Sequence, residues 1–407
     1  MTEKSARAEW RQYPMLPIAA ALGYATSVIH IYGLGPYIAP IGQSFGWSRT
    51  QVTIGLTIST LVQAIFSLPI GLLVDRYGPR RFALAGILLT TAAFELLGTA
   101  TGGTLNWYAL WGLLAFATLP VQATVWTSAV ATRFEASRGL AFAITLCGAS
   151  VAVVVFPLLG TWLIGIYGWQ KAVAVQGGIW TVIAFPVVFL FFRGAHDASR
   201  TRAAIAKADR PILSGVSLSE GLRSTIYLRL MLASLLFTFT IIALVVHFVP
   251  ILTDRGATPL AAAGIVSLVG VFSIVGRLAT GLLLDRFRAS RVGAAVFLLP
   301  VVGCLLLLTV GGSGLGQAVA AAFVGLTLGA EVDVIVYLTT RHFGLKSFGG
   351  LYGGLLTALS IGTATGPLAA AAVFDAYGSY VPFLWLTIAF MVGSSAALLS
   401  LPKPAER

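Results

Sequence analysis

At 407 residues, of which 57% are hydrophobic and only 10% charged, the chain lacks the polarity of a soluble fold, where roughly a quarter of residues are ionised. Its mean hydropathy is +0.91, and the apolar residues come in runs of about 20 or more, enough to cross ~30 Å of hydrocarbon. The formal charge of +12 does not mark a nucleic-acid face, because the basic residues are dispersed through short loops between the apolar runs.

The polar, basic start of the chain, up to Tyr13, precedes an apolar run too long for a signal-peptide core and without a convincing cleavage site. It reads as an uncleaved first span. The hydropathy pattern predicts twelve spans, near 14–41, 50–74, 82–101, 106–131, 139–164, 169–192, 227–252, 259–284, 292–311, 315–340, 348–374 and 380–401. An even count puts both termini on one side. Of the 26 Lys and Arg residues, twenty-two fall on that side, three (Arg49, Lys171 and Arg255) on the other, and Arg277 lies inside a span. The positive-inside rule therefore predicts cytoplasmic termini and a multi-pass protein of the cytoplasmic membrane.

The chain is also written twice, with a shift of 210 residues. Asp75 pairs with Asp285, Pro40 with Pro250, Gly46 with Gly256, Pro157 with Pro367, and Tyr167 and Gly168 with Tyr377 and Gly378. Between the copies runs one long polar segment, and Ser217 with Glu220 inside it fits a capping box that starts a short surface helix. The expected organisation is a six-helix bundle over 1–193, a cytoplasmic linker over 194–225 and a second six-helix bundle over 226–407. The fold class is all-α, with twelve transmembrane helices in two pseudo-symmetric bundles. Such parallel repeats are one plan on which secondary transporters are built, with the substrate site near the midplane between halves.

The residues Gly71, Asp75, Arg76, Gly78, Pro79, Arg80 and Arg81 close the second span with an abrupt cluster of charge, and Gly281, Asp285, Arg286 and Arg288 repeat it in degenerate form. This pattern resembles the signature loop of the major facilitator superfamily, and the likeness extends over essentially the whole chain. Within that superfamily three stretches resemble the monocarboxylate porters and the oxalate–formate antiporters. They are Phe45, Gly46, Trp47, Ser48 and Arg49; Arg133 and Phe134 with Arg138 and Gly139; and Gly329, Glu331 and Asp333 through Arg341, Phe343 and Gly344 to Gly366, Pro367, Phe374, Asp375, Gly378 and Tyr380. The resemblance implies a conformational latch. Asp75, with Gly71 allowing close approach, would meet the start of span eleven near Ser347, and Asp285 the start of span five near Arg138. Arg76 and Arg286 belong to the same loops. A carboxylate facing a helix N-terminus is favoured by the exposed N–H groups and the dipole.

An ionisable side chain at mid-span costs at least ~2.5–3.5 kcal/mol on insertion scales, so each is a functional candidate. Arg277 stands out. It lies eight residues before Asp285, ~12 Å along the helix and near mid-membrane, and its planar fork suits bidentate capture of a carboxylate. In monocarboxylate porters an arginine here binds the substrate anion, which the resemblance carries to Arg277. His247 and Asp254, seven residues apart, share a face of span seven, and Tyr37 is the counterpart of His247 in the first copy. The candidate substrate residues are thus Arg277, His247, Tyr37 and Tyr337, with Asp254 pairing with Arg277 when no substrate is present and releasing it to bind the anion on taking a proton. Glu331 and Asp333 point to nearly opposite sides of span ten, and one of them is expected to pair with an arginine. Glu95 has no evident partner. His30, Asn106, Gln122 and Trp126 are further polar or aromatic candidates. Oxalate porters carry a second cation on span eleven; its absence here favours a monoanion over a dianion.

Other chemistries find no support in the residues. There is no phosphate-binding Gly-Lys-Ser/Thr loop, no metal-ligand clustering among His30, His196, His247 and His342, and no nucleophile elbow. Cys147 and Cys304 sit in apolar runs as small hydrophobes. No enzyme activity, cofactor, metal or nucleic-acid partner is expected. The reading is a monomeric secondary transporter in contact with membrane lipid, carrying a small organic monocarboxylate of the lactate or pyruvate kind with a proton. An organic-anion antiporter or drug/proton exporter of the same fold is the alternative, and a non-transporting anion sensor the lesser one.

Overall fold

A computed structural model describes residues 6–194, 215–344 and 346–403. Most of the expected linker lies outside the described residues. The described chain is helical for a simple reason: in hydrocarbon no water completes a backbone N–H or C=O, and a helix satisfies each within its own segment.

A short helix α1 (Ala6–Gln12) leads into a first span made of α2 (Leu16–Ser27), α3 (Ile29–Gly33) and α4 (Ile38–Phe45). This span bends by 56° after Ser27. The Thr26 and Ser27 hydroxyls donate back to the Leu22 and Tyr24 carbonyls, at 3.2 and 2.6 Å, and such back-bonding loosens a helix where it occurs. Then come α5 (Arg49–Tyr77) and α6 (Pro79–Leu96), followed by α7 (Thr104–Ala117) and α8 (Ala123–Ala131), which form one span interrupted at Pro120. The helices α9 (Arg138–Tyr167) and α10 (Trp169–Phe191) end the first copy. The second copy holds α11 (Leu218–Arg223), α12 (Thr225–Thr253), α13 (Pro259–Arg286), α14 (Ala289–Val310), α15 (Gly314–Phe343), α16 (Phe348–Tyr377) and α17 (Val381–Leu399). Among the described residues, ten helices are long and apolar enough to cross a membrane, and the bent pair makes eleven. The 29-residue α5 fills the twelfth place, since ~1.5 Å per residue carries it across.

Two compact units result. One holds the residues up to Phe45 and the chain from Leu61 to the linker; the other holds Gly46–Thr60 and everything after the linker. The first turns of α5 therefore cluster with the second copy, a division finer than the linker alone implies.

In the first unit Trp126, Phe134 and Phe192 are buried at one end of the core, and α1 is fastened there. Glu9 is only 2% exposed. Its Oε1 accepts from the Glu135 and Ala136 amides at 2.8 and 2.9 Å, and its Oε2 from the Ser137 amide and hydroxyl at 3.0 and 2.8 Å. Burial pushes this carboxyl up, but the four donors outweigh burial and hold it at about 2. Glu9 thus holds the turn that leads into α9. Trp10 packs on Phe134 with ring centroids 5.0 Å apart, and Arg133 donates to the Tyr13 hydroxyl at 2.9 Å.

The second unit repeats the arrangement with other chemistry. The Ser217 hydroxyl caps α11 by accepting from the Glu220 amide at 3.4 Å, as the capping box predicts. This short helix is tied to the end of α15 by Val216 N–H donating to Phe343 O and to the start of α16 by Ser347 Oγ donating to Val216 O, both at 3.0 Å. The turn glycines keep the repeat register: Gly168 at φ +74 ends α9 and Gly378 at φ +64 ends α16, a backbone shape that side chains resist. Arg80 donates to Phe192 O and Phe189 O at 2.7 and 2.6 Å, and Arg288 donates to Leu401 O at 2.7 Å. Arginines of the two loops therefore close the carbonyl ends of the last helix in each unit, where a cation is favoured.

Candidate functional site

The tightest helix crossing in the second unit sets the site. A Cβ on Gly329 of α15 would overlap the Ser273 carbonyl oxygen of α13 and come within 2.9 Å of the Arg277 amide. Gly276 and Gly325 make further close backbone approaches, to Leu326 O and Val269 O. Small residues let lipid-embedded helices touch in this way. The contact puts Asp333, one turn beyond Gly329, across from Arg277. Their side chains stand 3.6 Å apart, Arg277 Nη1 to Asp333 Oδ1, with Arg277 10% and Asp333 32% exposed. That distance is an ion pair without a hydrogen bond. Nε and Nη1 of Arg277 are both buried and unpartnered, and so is Oε1 of the enclosed Glu331 beside it. A permanent positive charge is thus held inside the membrane with two donors unused.

The second arginine of interest is Arg49, and it is saturated. Nη2 donates to Asp254 Oδ1 at 3.0 Å and Nη1 to the Tyr380 hydroxyl at 2.8 Å. The guanidinium lies 3.5 Å from the centroid of the Phe374 ring, a close cation–π contact. Asp375 accepts from the Arg49 and Thr50 amides at 3.0 and 2.9 Å, which caps the start of α5. Tyr380 also meets Nδ1 of the buried His247 at 2.7 Å, while His247 Nε2 faces the Pro367 carbonyl at 2.9 Å. A carbonyl only accepts, so the ring proton sits on Nε2, and the Tyr380 hydroxyl donates to Nδ1. The chain of donors runs in one direction: Arg49, Tyr380, His247, Pro367.

The Major Facilitator Superfamily model matches residues 20–349. The chain belongs to the Major Facilitator Superfamily. Its fold is that superfamily's, and it is a membrane transporter, not an enzyme. Bovine monocarboxylate transporter 13 is 26% identical over 343 residues, covering 83% of this chain and 77% of the relative. The chloramphenicol resistance protein of Streptomyces lividans is 28% identical over 373 residues, 88% of each chain. The 3-(3-hydroxy-phenyl)propionate transporter of Escherichia coli is 24% identical over 346 residues, with 83% and 79% covered.

Within this facilitator fold the sequence-derived candidates do not form one cluster. Asp254 pairs with Arg49 and not with Arg277, whose counter-ion is Asp333. His247 has both ring nitrogens engaged by Tyr380 and Pro367. Tyr337 accepts from Arg341 Nη2 at 3.0 Å, one turn along its own helix. In the first unit Tyr37 is buried and donates to Gln176 Oε1 at 2.7 Å. His30 lines a small apolar pocket in that unit with Tyr37, Trp107, Trp111 and Trp169. The Trp126 indole donates to Val121 O at 2.7 Å, Asn106 accepts from the Thr101 amide at 3.0 Å, Gln122 reaches Gln63 O at 3.5 Å, and Glu95 lies against Gly177. Of the latch residues, Gly71 and the side chains of Asp75 and Asp285 lie outside the described residues, while Arg76 and Arg286 are exposed. No group of three metal-ligating side chains occurs among the described residues. Arg49, Tyr380 and Asp375 were visible only as motif letters; nothing in their spacing announced a network. Gln176 and Glu9 gave no signal at all.

Proposed function

We propose that the chain is a secondary active transporter that moves a small organic monocarboxylate, of lactate or pyruvate size, by proton symport and alternating access. It works in the cytoplasmic membrane as a monomer with both termini in the cytoplasm. The observation that carries this reading is Arg277, a buried guanidinium whose Nε and Nη1 have no hydrogen-bond partner and whose nearest acid stands off at 3.6 Å. A membrane-embedded cation tolerates that state when an anion periodically completes it. The names of the bovine and Escherichia coli relatives, one a monocarboxylate and one a phenylpropionate transporter, agree with a carboxylate cargo. The span α16 carries no lysine or arginine, so the site offers one cation and suits a monoanion.

Thermal shift with a panel of mono- and dicarboxylates tests it. A bound acid at a hundred times its Kd stabilises wild type by about 2.7 kcal/mol and leaves Arg277→Ala unmoved. Equal shifts in both proteins would remove the assignment. The Streptomyces lividans relative supports a second reading, export of a drug in exchange for protons. Vesicles separate the two: chloramphenicol extruded under a proton gradient, with no carboxylate effect, would favour the exporter.

A further inference from the structure

The reading of an organic-anion transporter leaves the proton without an address, and the inference below rests on that reading. Within the second unit one guanidinium, Arg277, lies beside two carboxyl groups, Asp333 at 3.6 Å and the enclosed Glu331. If both were ionised, the patch would hold a net negative charge away from water, which is strongly disfavoured. One of them therefore carries a proton at rest. Glu331 is the enclosed one, makes no ion pair within 4 Å among the described residues and leaves Oε1 unpartnered. It is the neutral acid, and Arg277 with Asp333 is the charged pair.

We propose that Asp333 is the acceptor of the transported proton, and that the cargo carboxylate makes it one by displacing it from Arg277. Three features support the exchange. The pair has no hydrogen bond, so a carboxylate that bonds to Nε and a terminal nitrogen gains contacts that Asp333 does not make. Asp333 is the more exposed of the two acids, so a proton reaches it. Once its cation is taken, an aspartate in this interior is stable in its protonated form. The balance closes. The Arg277–Asp333 pair plus a carboxylate anion and a proton gives an Arg277–cargo pair plus neutral Asp333; one O–H bond forms, and net charge stays at zero.

No other described charge competes for Asp333. Its own helix offers Glu331 and Tyr337, and Tyr337 is bonded to Arg341. From α12, His247 is held by Tyr380 and Pro367, and Arg229 donates to Ser400 O. From α16, Asp375 is spent on the Arg49 and Thr50 amides, and on α14 Arg291 is exposed. From α13 Arg277 faces it, and Arg286 at the helix end is exposed. Asp254, bonded to Arg49, is outside this exchange.

The test uses the full chain in proteoliposomes, with labelled lactate as the probe and an entrapped pH dye. Wild type should accumulate lactate about tenfold for each unit of imposed pH gradient and carry one proton per lactate. Asp333→Asn should still exchange internal for external lactate, yet its gradient-driven accumulation should fall to unity with no dye signal. Glu331→Gln should keep the pH dependence of wild type, and Asp333→Glu should restore coupling. Full accumulation by Asp333→Asn, or loss of coupling confined to Glu331→Gln, overturns the proposal. Should Asp333→Asn fail to fold, proton uptake by detergent-solubilised wild type on adding lactate decides: one proton per site supports the exchange, and none overturns it. If wild type exchanges no carboxylate, or Arg277→Ala exchanges as well as wild type, the functional reading itself has failed, a result distinct from lost coupling.

Discussion

Arg49 and Arg277 are two arginines of one unit, each facing an aspartate, and they are opposites. Arg49 has Asp254 at 3.0 Å, Tyr380 at 2.8 Å and the Phe374 ring beneath it. Arg277 has Asp333 at 3.6 Å and two buried donors, Nε and Nη1, without a hydrogen bond. A saturated arginine holds structure together, because every acceptor it could lose is already fixed. An unsaturated one costs stability and holds binding capacity in reserve.

Removing each charge in turn sharpens the contrast. Arg277→Ala should lower lactate uptake by about a hundredfold, ~2.7 kcal/mol of lost stabilisation, while lactate no longer raises its melting temperature. Uptake and thermal denaturation on one preparation check both halves. Arg49→Ala should do the reverse: thermal stability falls by about 2–4 kcal/mol, since charge-assisted bonds and a cation–π contact go together, while lactate still raises the melting point. Gly329→Ala should cost about 1–3 kcal/mol by forcing α13 and α15 apart, and should weaken lactate binding because Arg277 and Asp333 sit on those helices. A strong loss of uptake in Arg49→Ala with unchanged stability would erase the distinction.

The acids repeat the contrast at smaller scale. Glu9 receives four hydrogen bonds, whereas Glu331 has a bare oxygen. The folded value of Glu9, about 2, lies below its free value of 4.5. Its contribution is therefore complete above pH 4.5 and is lost as pH falls toward 2. Glu9→Gln should loosen α1 by about 1–2 kcal/mol at neutral pH, read as faster amide exchange at residues 135–137, with uptake nearly unchanged.

Much of this was legible in the sequence. Twelve apolar runs, the 210-residue register and the turn glycines that follow it fix the fold, because span length and backbone shape are local properties. Arg277 was legible for the same reason: a charge in an apolar run needs no neighbour to be noticed. Partners were not. Whether Asp254 meets Arg277 or Arg49 depends on helix rotation and on where α5 begins, and no spacing encodes that. The two partners of His247, Tyr380 and the Pro367 carbonyl, arrive from chain more than a hundred residues away, so its spacing could not name them. Tyr37 was spent on Gln176 by the same kind of distant meeting.

One feature at the margin of the first unit has a practical use. Trp10 rests against Phe134, on a helix that is pinned through a single carboxylate. Indole emission responds to what lies against the ring, so replacing the other eight tryptophans with phenylalanine would leave a built-in optical gauge of whether α1 stays seated. Time-resolved fluorescence could then follow this clasp during turnover, with no dye attached.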